Sequence, residues 1–446
     1  MSKPTKLHHL VPLLCWAVYC SVLNGTMFNV AVPDIARDFS LAPSEVSWVI
    51  TGYIVIFAVG AISYGKLADN YPVRRLLTIG LLLFNSGALI SLLADRYPLL
   101  IIGRLVQASG GAAIPALVML CATRYAPPEQ RGRVLGAVSA TVAFAMGCGP
   151  LVGGLLGGYF HWRWLFLLSF ATLPVIPLLR IVLQPEPVRP GRFDLLGAGW
   201  LTGGIALLLF GLTQRQLWSP LLAAACIALF IRQVRRHPNP FISPTLLGNQ
   251  PYRQGLAATF LAMGTMFGLL FIIPLGLREQ FGLSTIGIGL VIFPGAACGA
   301  VIGVIGGRLT DRFGCRPIAS WGITLLAAGY LLLLAFGQNP VTIALLLVIC
   351  YGGFSLFQPA LGKAVSLTLP SKQTGVGMGL YNLIYFLSGA FGTAVSGGLL
   401  ELFAETGHDS EGPRAILLLM TVTCLLALPV FRRMGLNSET KRSQEP

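Results

Sequence analysis

Charged residues are what this chain has least of. Asp, Glu, Lys and Arg make up 11% of its 446 residues, against roughly 25% in an ordinary soluble domain. Hydrophobic residues make up 55%, and the mean hydropathy is +0.75. That composition excludes a water-soluble globule and requires a chain that crosses a bilayer several times. The nine cysteines (Cys15, Cys20, Cys121, Cys148, Cys226, Cys298, Cys315, Cys350 and Cys424) include no C-x-x-C pair. Most sit inside apolar runs and read as small core or lipid-facing residues, not as a disulfide framework or zinc site. His8, His9, His161, His237 and His408 fall in loops or at the edges of apolar runs and make poor metal sites. A G-x-x-x-x-G-K loop followed by Ser or Thr is missing, so ATP drive is not expected and no cofactor is implied. Neither a nucleophile–base constellation nor a long soluble segment is present, which argues against an enzyme.

The net charge of +15 would suggest nucleic acid in a soluble protein. Here Lys and Arg collect in alternate loops, as cytoplasmic loops of a membrane protein do. A lipid bilayer, not a nucleic acid, is the expected surroundings.

About 20 apolar residues cross the hydrocarbon core. That rule predicts helices near 10–32, 47–66, 75–94, 99–121, 133–158, 162–183, 194–213, 217–232, 252–276, 284–307, 317–336, 340–362, 374–400 and 413–431. The result is an all-α polytopic protein of about fourteen transmembrane helices. The first run leads into polar Asn24 and Asn29 without a convincing cleavage site, so it reads as a membrane helix and not a removed signal. With the N-terminus cytoplasmic, about 24 Lys/Arg fall on the inner side and about 6 on the outer, which predicts that both termini are cytoplasmic.

The halves repeat one another. Gly65-Lys66-Leu67-Ala68-Asp69-Asn70-Tyr71-Pro72-Val73-Arg74-Arg75 follows the second helix, and Gly307-Arg308-Leu309-Thr310-Asp311-Arg312-Phe313-Gly314-Cys315-Arg316 follows the tenth. Two similar bundles about an axis along the membrane normal are a known transporter plan. The expected division is a six-helix bundle over 1–190, an inserted two-helix linker over 191–245, a second six-helix bundle over 246–435, and a cytoplasmic tail over 436–446. In the duplicated loop, Asp69 suits a helix N-terminus, and Arg74 and Arg75 can pair with it or with acids across the bundle. The loop reads either as plain topogenic charge or as a gate whose ion pairs form in one conformation only; the second copy, with Asp311 and Arg312, favours the gate.

The fourth span carries Arg104, a charge that is costly near the membrane centre and usually faces a cavity or a partner. The fifth carries Gly147-Cys148-Gly149-Pro150-Leu151-Val152-Gly153-Gly154, where a helix thins and neighbours can approach or bend it. Arg104 is either an inter-helix hydrogen-bond donor or part of a substrate or coupling cavity. Guanidinium stays protonated, so it is not the proton carrier. Few acids lie deep in any span; Asp34, near the end of the first, is the best titrating candidate, or else caps the next element. Polar and aromatic residues inside apolar spans supply the rest of the expected cavity: Asn24 and Phe28 on one face of the first helix, Gln107 a turn from Arg104, and Tyr53, Gln358, Asn382 and Tyr385. Such a lining suits an amphipathic organic molecule.

The Gly65–Arg75 loop, Arg104-Leu105-Val106-Gln107-Ala108-Ser109-Gly110 and Gly147–Gly154 resemble the signature motifs of the major facilitator superfamily, the last of them the Gly-Pro motif of its antiporters and drug exporters. Together with Asn24-Gly25-Thr26-Met27-Phe28-Asn29-Val30-Ala31-Val32-Pro33-Asp34-Ile35, the chain resembles the fourteen-helix drug:proton antiporters, nearest to their tetracycline/proton group. Tyr64-Gly65-Lys66-Leu67, Phe193-Asp194 and Ile292-Phe293-Pro294-Gly295 support the likeness, which covers nearly the whole chain. The chain departs from that group at Gly25 and Gly389, where the group carries membrane acids, and at Asn70-Tyr71-Pro72, where a basic residue and Gly are more usual. The resemblance implies a monomeric multi-pass protein of a bacterial cytoplasmic membrane. It would export a drug-like or natural-product molecule, tetracycline-type antibiotics within range, in exchange for protons by alternating access. The missing acids leave room for an alternative: a dedicated exporter of an endogenous anionic metabolite such as a siderophore, with Arg104 pairing to its anion.

Overall fold

The computed structural model describes residues 7–434 except 126–127, 184–193, 215, 217, 238–241, 243–245, 247, 370–373 and 408–410. The described elements are helical throughout. The first half comprises α1 (Leu7–Phe39), α2 (Pro43–Val46), α3 (Trp48–Asn70), α4 (Val73–Leu92), α5 (Tyr97–Gly111), α6 (Ala113–Tyr125) and α7 (Pro128–Tyr159). A 3-10 segment (Trp162–Thr172) and α8 (Val175–Val182) close it. Next come α9 (Leu195–Gln214) and α10 (Trp218–Arg236), then α11 (Gln250–Phe281), α12 (Thr285–Phe313), α13 (Cys315–Phe336), α14 (Pro340–Leu367), α15 (Thr374–Glu405) and α16 (Gly412–Arg432). Among the described residues, 13 helices or helix pairs are long and apolar enough to cross a membrane. The helix α10 has the length, but Arg232, Arg235 and Arg236 dilute its last turns.

Two spans that read as continuous in the sequence are broken. The fourth divides into α5 and α6 at Ala112. Pro115 has no N–H to give the carbonyl of Gly111, so the α-helical ladder lapses there. The sixth winds first as a 3-10 helix, with Leu173 N–H donating to Phe170 O three residues back. It resumes as α8 after Pro174, which cannot donate either. Elsewhere the helix starts follow ordinary capping: the side chains of Asn249, Ser284 and Asn339 accept from the N–H groups of Tyr252, Gly287 and Thr342. Gly282, at φ 61°, ends α11, a left-handed turn that glycine makes without Cβ strain.

The outer surface is apolar and the buried centre carries the polar side chains, the reverse of a soluble protein. Leu82, Leu93, Leu221, Val341 and Leu345 are exposed, while Asn24, Asn85, Arg104, Gln107 and Ser169 are buried. Within the first half α4 lies along α5; within the second, α13 lies along α14. The same close contact recurs: a Cβ on Gly110 would meet the Gly80 carbonyl, and one on Gly353 the Gly322 carbonyl. The halves meet along two seams, α7 against α12 and α3 against α15, with α1 touching α11 between them. The helix α9 leans on α3, where Trp48 Nε1 donates to Thr213 Oγ1 at 3.1 Å. Asp194 caps α9 through Gly197 N–H and accepts from Gln233 Nε2 of α10, both at 2.9 Å.

Candidate functional site

Arg104 lies on α5 with 1% of its surface exposed. Its Nη1 donates to Gln107 Oε1 at 2.8 Å and Asn24 Oδ1 at 3.2 Å, and its Nε to the Val49 carbonyl at 3.3 Å. The guanidinium lies over two rings, 4.4 Å from the centroid of Phe28 and 4.1 Å from that of Tyr53. Among the described residues no carboxylate pairs with it. Carbonyl oxygens and ring faces carry the compensation, and a desolvated cation–π contact is worth about 2 kcal/mol. Ser169, in the 3-10 segment, accepts from both Asn24 Nδ2 and Gln107 Nε2 at 3.0 Å. Its carbonyl accepts from Thr172, whose Oγ1 accepts from Asn85 Nδ2 at 2.8 Å. The residues that sequence grouped with Arg104 on α1, α3 and α5 are therefore one cluster. Ser169, Asn85 and Thr172 were missed; a polar ladder inside apolar runs was the available signal.

From Tyr53 a row of rings leads across the α3–α15 seam. Phe57 lies 5.9 Å from Tyr53, Phe386 lies 5.0 Å from Phe57 at 66°, Tyr385 lies 4.9 Å from Phe386, and Phe267 of α11 lies 5.7 Å from Tyr385. Tyr385 thus joins the Arg104 cluster through Phe386 and Phe57, neither of which the sequence had singled out. Asn382 is exposed and Gln358 half-buried; no hydrogen bond ties either side chain to the cluster among the described residues.

Asp34 belongs elsewhere, at the far end of α1. It is 7% exposed, and its carboxylate accepts from Arg278 Nη2 at 2.8 Å, with Arg37 Nη2 at 3.4 Å. The hydroxyl of Thr285 donates to Oδ2 and accepts from Arg278 Nη2. Arg278 comes from the end of α11 and Thr285 opens α12, so one carboxylate ties α1 to two helices of the other half. Asp38, one turn on, accepts from Trp162 Nε1 at 2.7 Å and lies 2.9 Å from His161 Nε2. A cavity of about 220 Å³ adjoins the lock, lined by Pro33, Ala36, Arg37, Leu41, Arg278 and Glu279 among others.

The Gly-Pro motif closes the neighbouring seam. A Cβ on Gly149 would strike Thr26 Oγ1 of α1 at 2.0 Å, one on Gly289 the Pro150 carbonyl at 2.6 Å, and one on Gly154 the Thr285 carbonyl at 3.0 Å. The duplicated loop lies at the opposite end. There, among the described residues, Gly65 and Gly307 have nothing within 4 Å of a built Cβ. Asp311 pairs with Lys363 at 2.8 Å on the surface, and Arg312 lies 5.3 Å over Phe313. Arg74 and Arg75 stand in the first turn of α4, with the Arg74 carbonyl accepting from Thr78. The side chains of Asp69 and of 128–133, residues 126–127 and the tail 436–446 lie outside the described residues.

Known proteins match this architecture along its length. The family model described as Major Facilitator Superfamily covers residues 14–248 and 255–446. "Multidrug resistance protein B homolog" of Mycobacterium tuberculosis (strain CDC 1551 / Oshkosh) is 31% identical over 85% of this chain and 73% of its own. "Riboflavin transporter RibZ" of Clostridioides difficile (strain 630) is 25% identical over 86% of each chain. The crystal structure of a bacterial homologue of the human lysosomal transporter Spinster, inward-facing and occupied, superposes with a TM-score of 0.71 at 15% identity, covering 98% of both chains. Many apolar spans, an internal repeat, a buried polar cluster and two inter-half seams thus come together in one fold: the chain is a multi-pass membrane protein of the Major Facilitator Superfamily.

Proposed function

We propose that the protein is a secondary active exporter of a drug-like or natural-product small molecule, exchanging it for protons by alternating access. In this reading the chain crosses a bacterial cytoplasmic membrane fourteen times, α10 included, as a monomer with both termini inside. Residues 1–190 and 246–435 are the moving bundles and 191–245 the inserted pair. The observation that carries it is the Asp34–Arg278–Thr285 lock, which joins three helices from both halves at one end. An ion pair that spans two bundles is what a gate makes in one conformation and breaks in the other. Protonating Asp34 removes the charge that holds Arg278, so proton entry from that end favours opening it. Asn24, Phe28, Tyr53, Arg104, Gln107, Gln358, Asn382 and Tyr385 form the substrate and coupling cavity. Gly65, Asp69, Arg74, Arg75, Gly149, Pro150, Asp311 and Arg312 carry the gates and the conformational change. The relatives named for multidrug resistance favour export of this kind.

A second reading has its own support. Arg104 is a buried cation balanced only by neutral groups among the described residues, as suits an exporter of an anionic metabolite with different or no proton coupling.

Inverted membrane vesicles with an imposed proton gradient and a pH-sensitive dye test both. A compound that collapses the gradient only when the protein is present establishes antiport and names a substrate. Labelled compounds that cross without dissipating it remove proton coupling. No movement of any compound by the folded protein removes export.

A further inference from the structure

We infer that His161 is an acid-set bolt on the Asp34 lock: on gaining a proton it takes over Asp38 and leaves Arg37 wholly to Asp34, so mild acid at this end holds the halves together. This rests on the reading of Asp34 as a gate and adds what regulates it. Its basis is one arginine shared between two carboxylates a turn apart on α1. Arg37 Nη2 lies 3.4 Å from Asp34 Oδ1, and Arg37 Nε lies 4.0 Å from Asp38 Oδ1. The arginine side chain is 70% exposed, so it is free to turn to whichever carboxylate keeps more uncompensated charge. Asp34 also holds Arg278 of α11 at 2.8 Å, across the boundary between halves. Asp38 instead meets His161 and Trp162 within its own half.

The partners of His161 set its two states. The Arg163 N–H donates to His161 Nδ1 at 3.4 Å, so the neutral ring carries its hydrogen on Nε2 and donates it to Asp38 Oδ2, 2.9 Å away. Trp162 Nε1 donates to the same oxygen at 2.7 Å. Both donors are neutral, and the charge left on Asp38 draws Arg37. A proton on Nδ1 makes His161 the counter-ion of Asp38 and releases Arg37 to Asp34. The long Arg163 contact is given up for a charge-assisted bond, which is roughly twice as strong as a neutral one. Other charges face this pair. Arg163 lies with its guanidinium 5.3 Å over the Trp162 ring, and Arg278 and Glu279 line the cavity that Arg37 also lines. Tyr97 of α5 sits behind Phe39 and gives its hydroxyl to the Glu45 carbonyl; Tyr159, the last residue of α7, is exposed. Among these side chains only an imidazole ordinarily changes charge between about pH 5 and 8. At 44% exposure the His161 ring is open to the medium. Asp34 acts in the opposite sense, since its own protonation opens the lock.

The test reads the gate without transport, on the full-length protein in nanodiscs. Spin labels carried by unnatural amino acids at Leu93 and Gln280, both exposed at this end of their halves, report how far the halves part as the pH falls from about 8 to 6. The chain has five histidines, so isotope-labelled histidine NMR follows His161 directly; its signal is the one missing from His161→Gln. The open-to-closed ratio is expected to fall by about two- to fivefold, as one exposed ion pair allows, in step with the His161 signal. His161→Gln, whose amide still donates to Asp38, should abolish that step, and so should Arg37→Gln. His161→Arg keeps a cation beside Asp38 and should hold the closed population across the range. Melting temperatures recorded alongside separate a lost step from lost folding. A step of full size in either glutamine variant overturns the inference, as does a His161 titration that leaves the label distance unchanged. Asp34→Asn is scored separately. Opening of that variant at every pH upholds the lock whatever His161 does; a variant as closed as the original removes the lock, and the bolt with it.

Discussion

The two seams between the halves are built from opposite materials. Along α7 and α12 the contact is backbone on backbone, with Gly154 and Gly289 admitting no side chain: built Cβ atoms meet main-chain atoms at 3.0 Å and 2.6 Å. Along α3 and α15 it is ring on ring, Phe57 against Phe386 at 5.0 Å. Small residues let helices approach to where dispersion and weak Cα–H contacts hold them, and such a fit tolerates nothing added. An aromatic pair contributes about 0.5–1.5 kcal/mol beyond its burial and can be exchanged for another aromatic surface. The same fold thus has one seam that is specific in shape and another that is specific in chemistry.

Substitutions sharpen the contrast. The largest effect is expected from Gly154→Leu or Gly289→Leu. Neither backbone can retreat without moving its partner helix, and overpacking costs about 1–3 kcal/mol or more. Transport of every compound should stop and the melting temperature fall; on the aromatic seam, Phe57→Leu should lower melting by less, the ring pair being worth about 0.5–1.5 kcal/mol, and should alter which compounds move. Equal melting losses on both seams would erase the distinction. Next comes Gly389→Asp, whose Cβ meets the Phe267 ring at 2.8 Å and so dislodges the brace of Tyr385. A drop in thermal stability is expected. By contrast Gly25, the other position where a membrane acid is missing, has nothing within 4 Å of a Cβ. Gly25→Glu should fold like the original and, in the vesicle dye assay, change the protons moved per substrate. A destabilised Gly25→Glu protein would mean that α1 faces no open space there. The smallest effect is Tyr53→Phe. Among the described residues the Tyr53 hydroxyl is buried without a hydrogen-bond partner, and such a group costs about 1–3 kcal/mol. Its removal should raise the melting temperature slightly while leaving the ring row intact.

Much of this was legible from residue order alone. Periodic apolar length gave the spans, because a bilayer imposes one helix length, and the isolated arginine in an apolar run led straight to Asn24, Phe28, Tyr53 and Gln107. What was not legible depends on which helices meet. Asp34 finds Arg278 across 244 positions, a pairing that no spacing within α1 announces. One hint existed: Arg278 is among the few basic residues on the sparsely charged side, so a lone acid there had few partners to choose from. Phe57 and Phe386 carried no hint, since a phenylalanine in a membrane helix looks the same whether it faces lipid or a seam. The breaks at Ala112 and Pro174 were signalled by prolines, yet hydropathy averages over them.

One measurement bears most directly on alternating access through the Asp34 end. Arg37 of α1 and Glu279 of α11 line the same cavity beside the lock. The double variant Arg37→Cys/Glu279→Cys, with each single variant as control for the native thiols, can be bridged by a short reducible bifunctional cross-linker and assayed for substrate export. Export that stops on bridging and returns on reduction is the expected result, because the two halves must part there. Export at full rate while the bridge is intact would show that this end never opens.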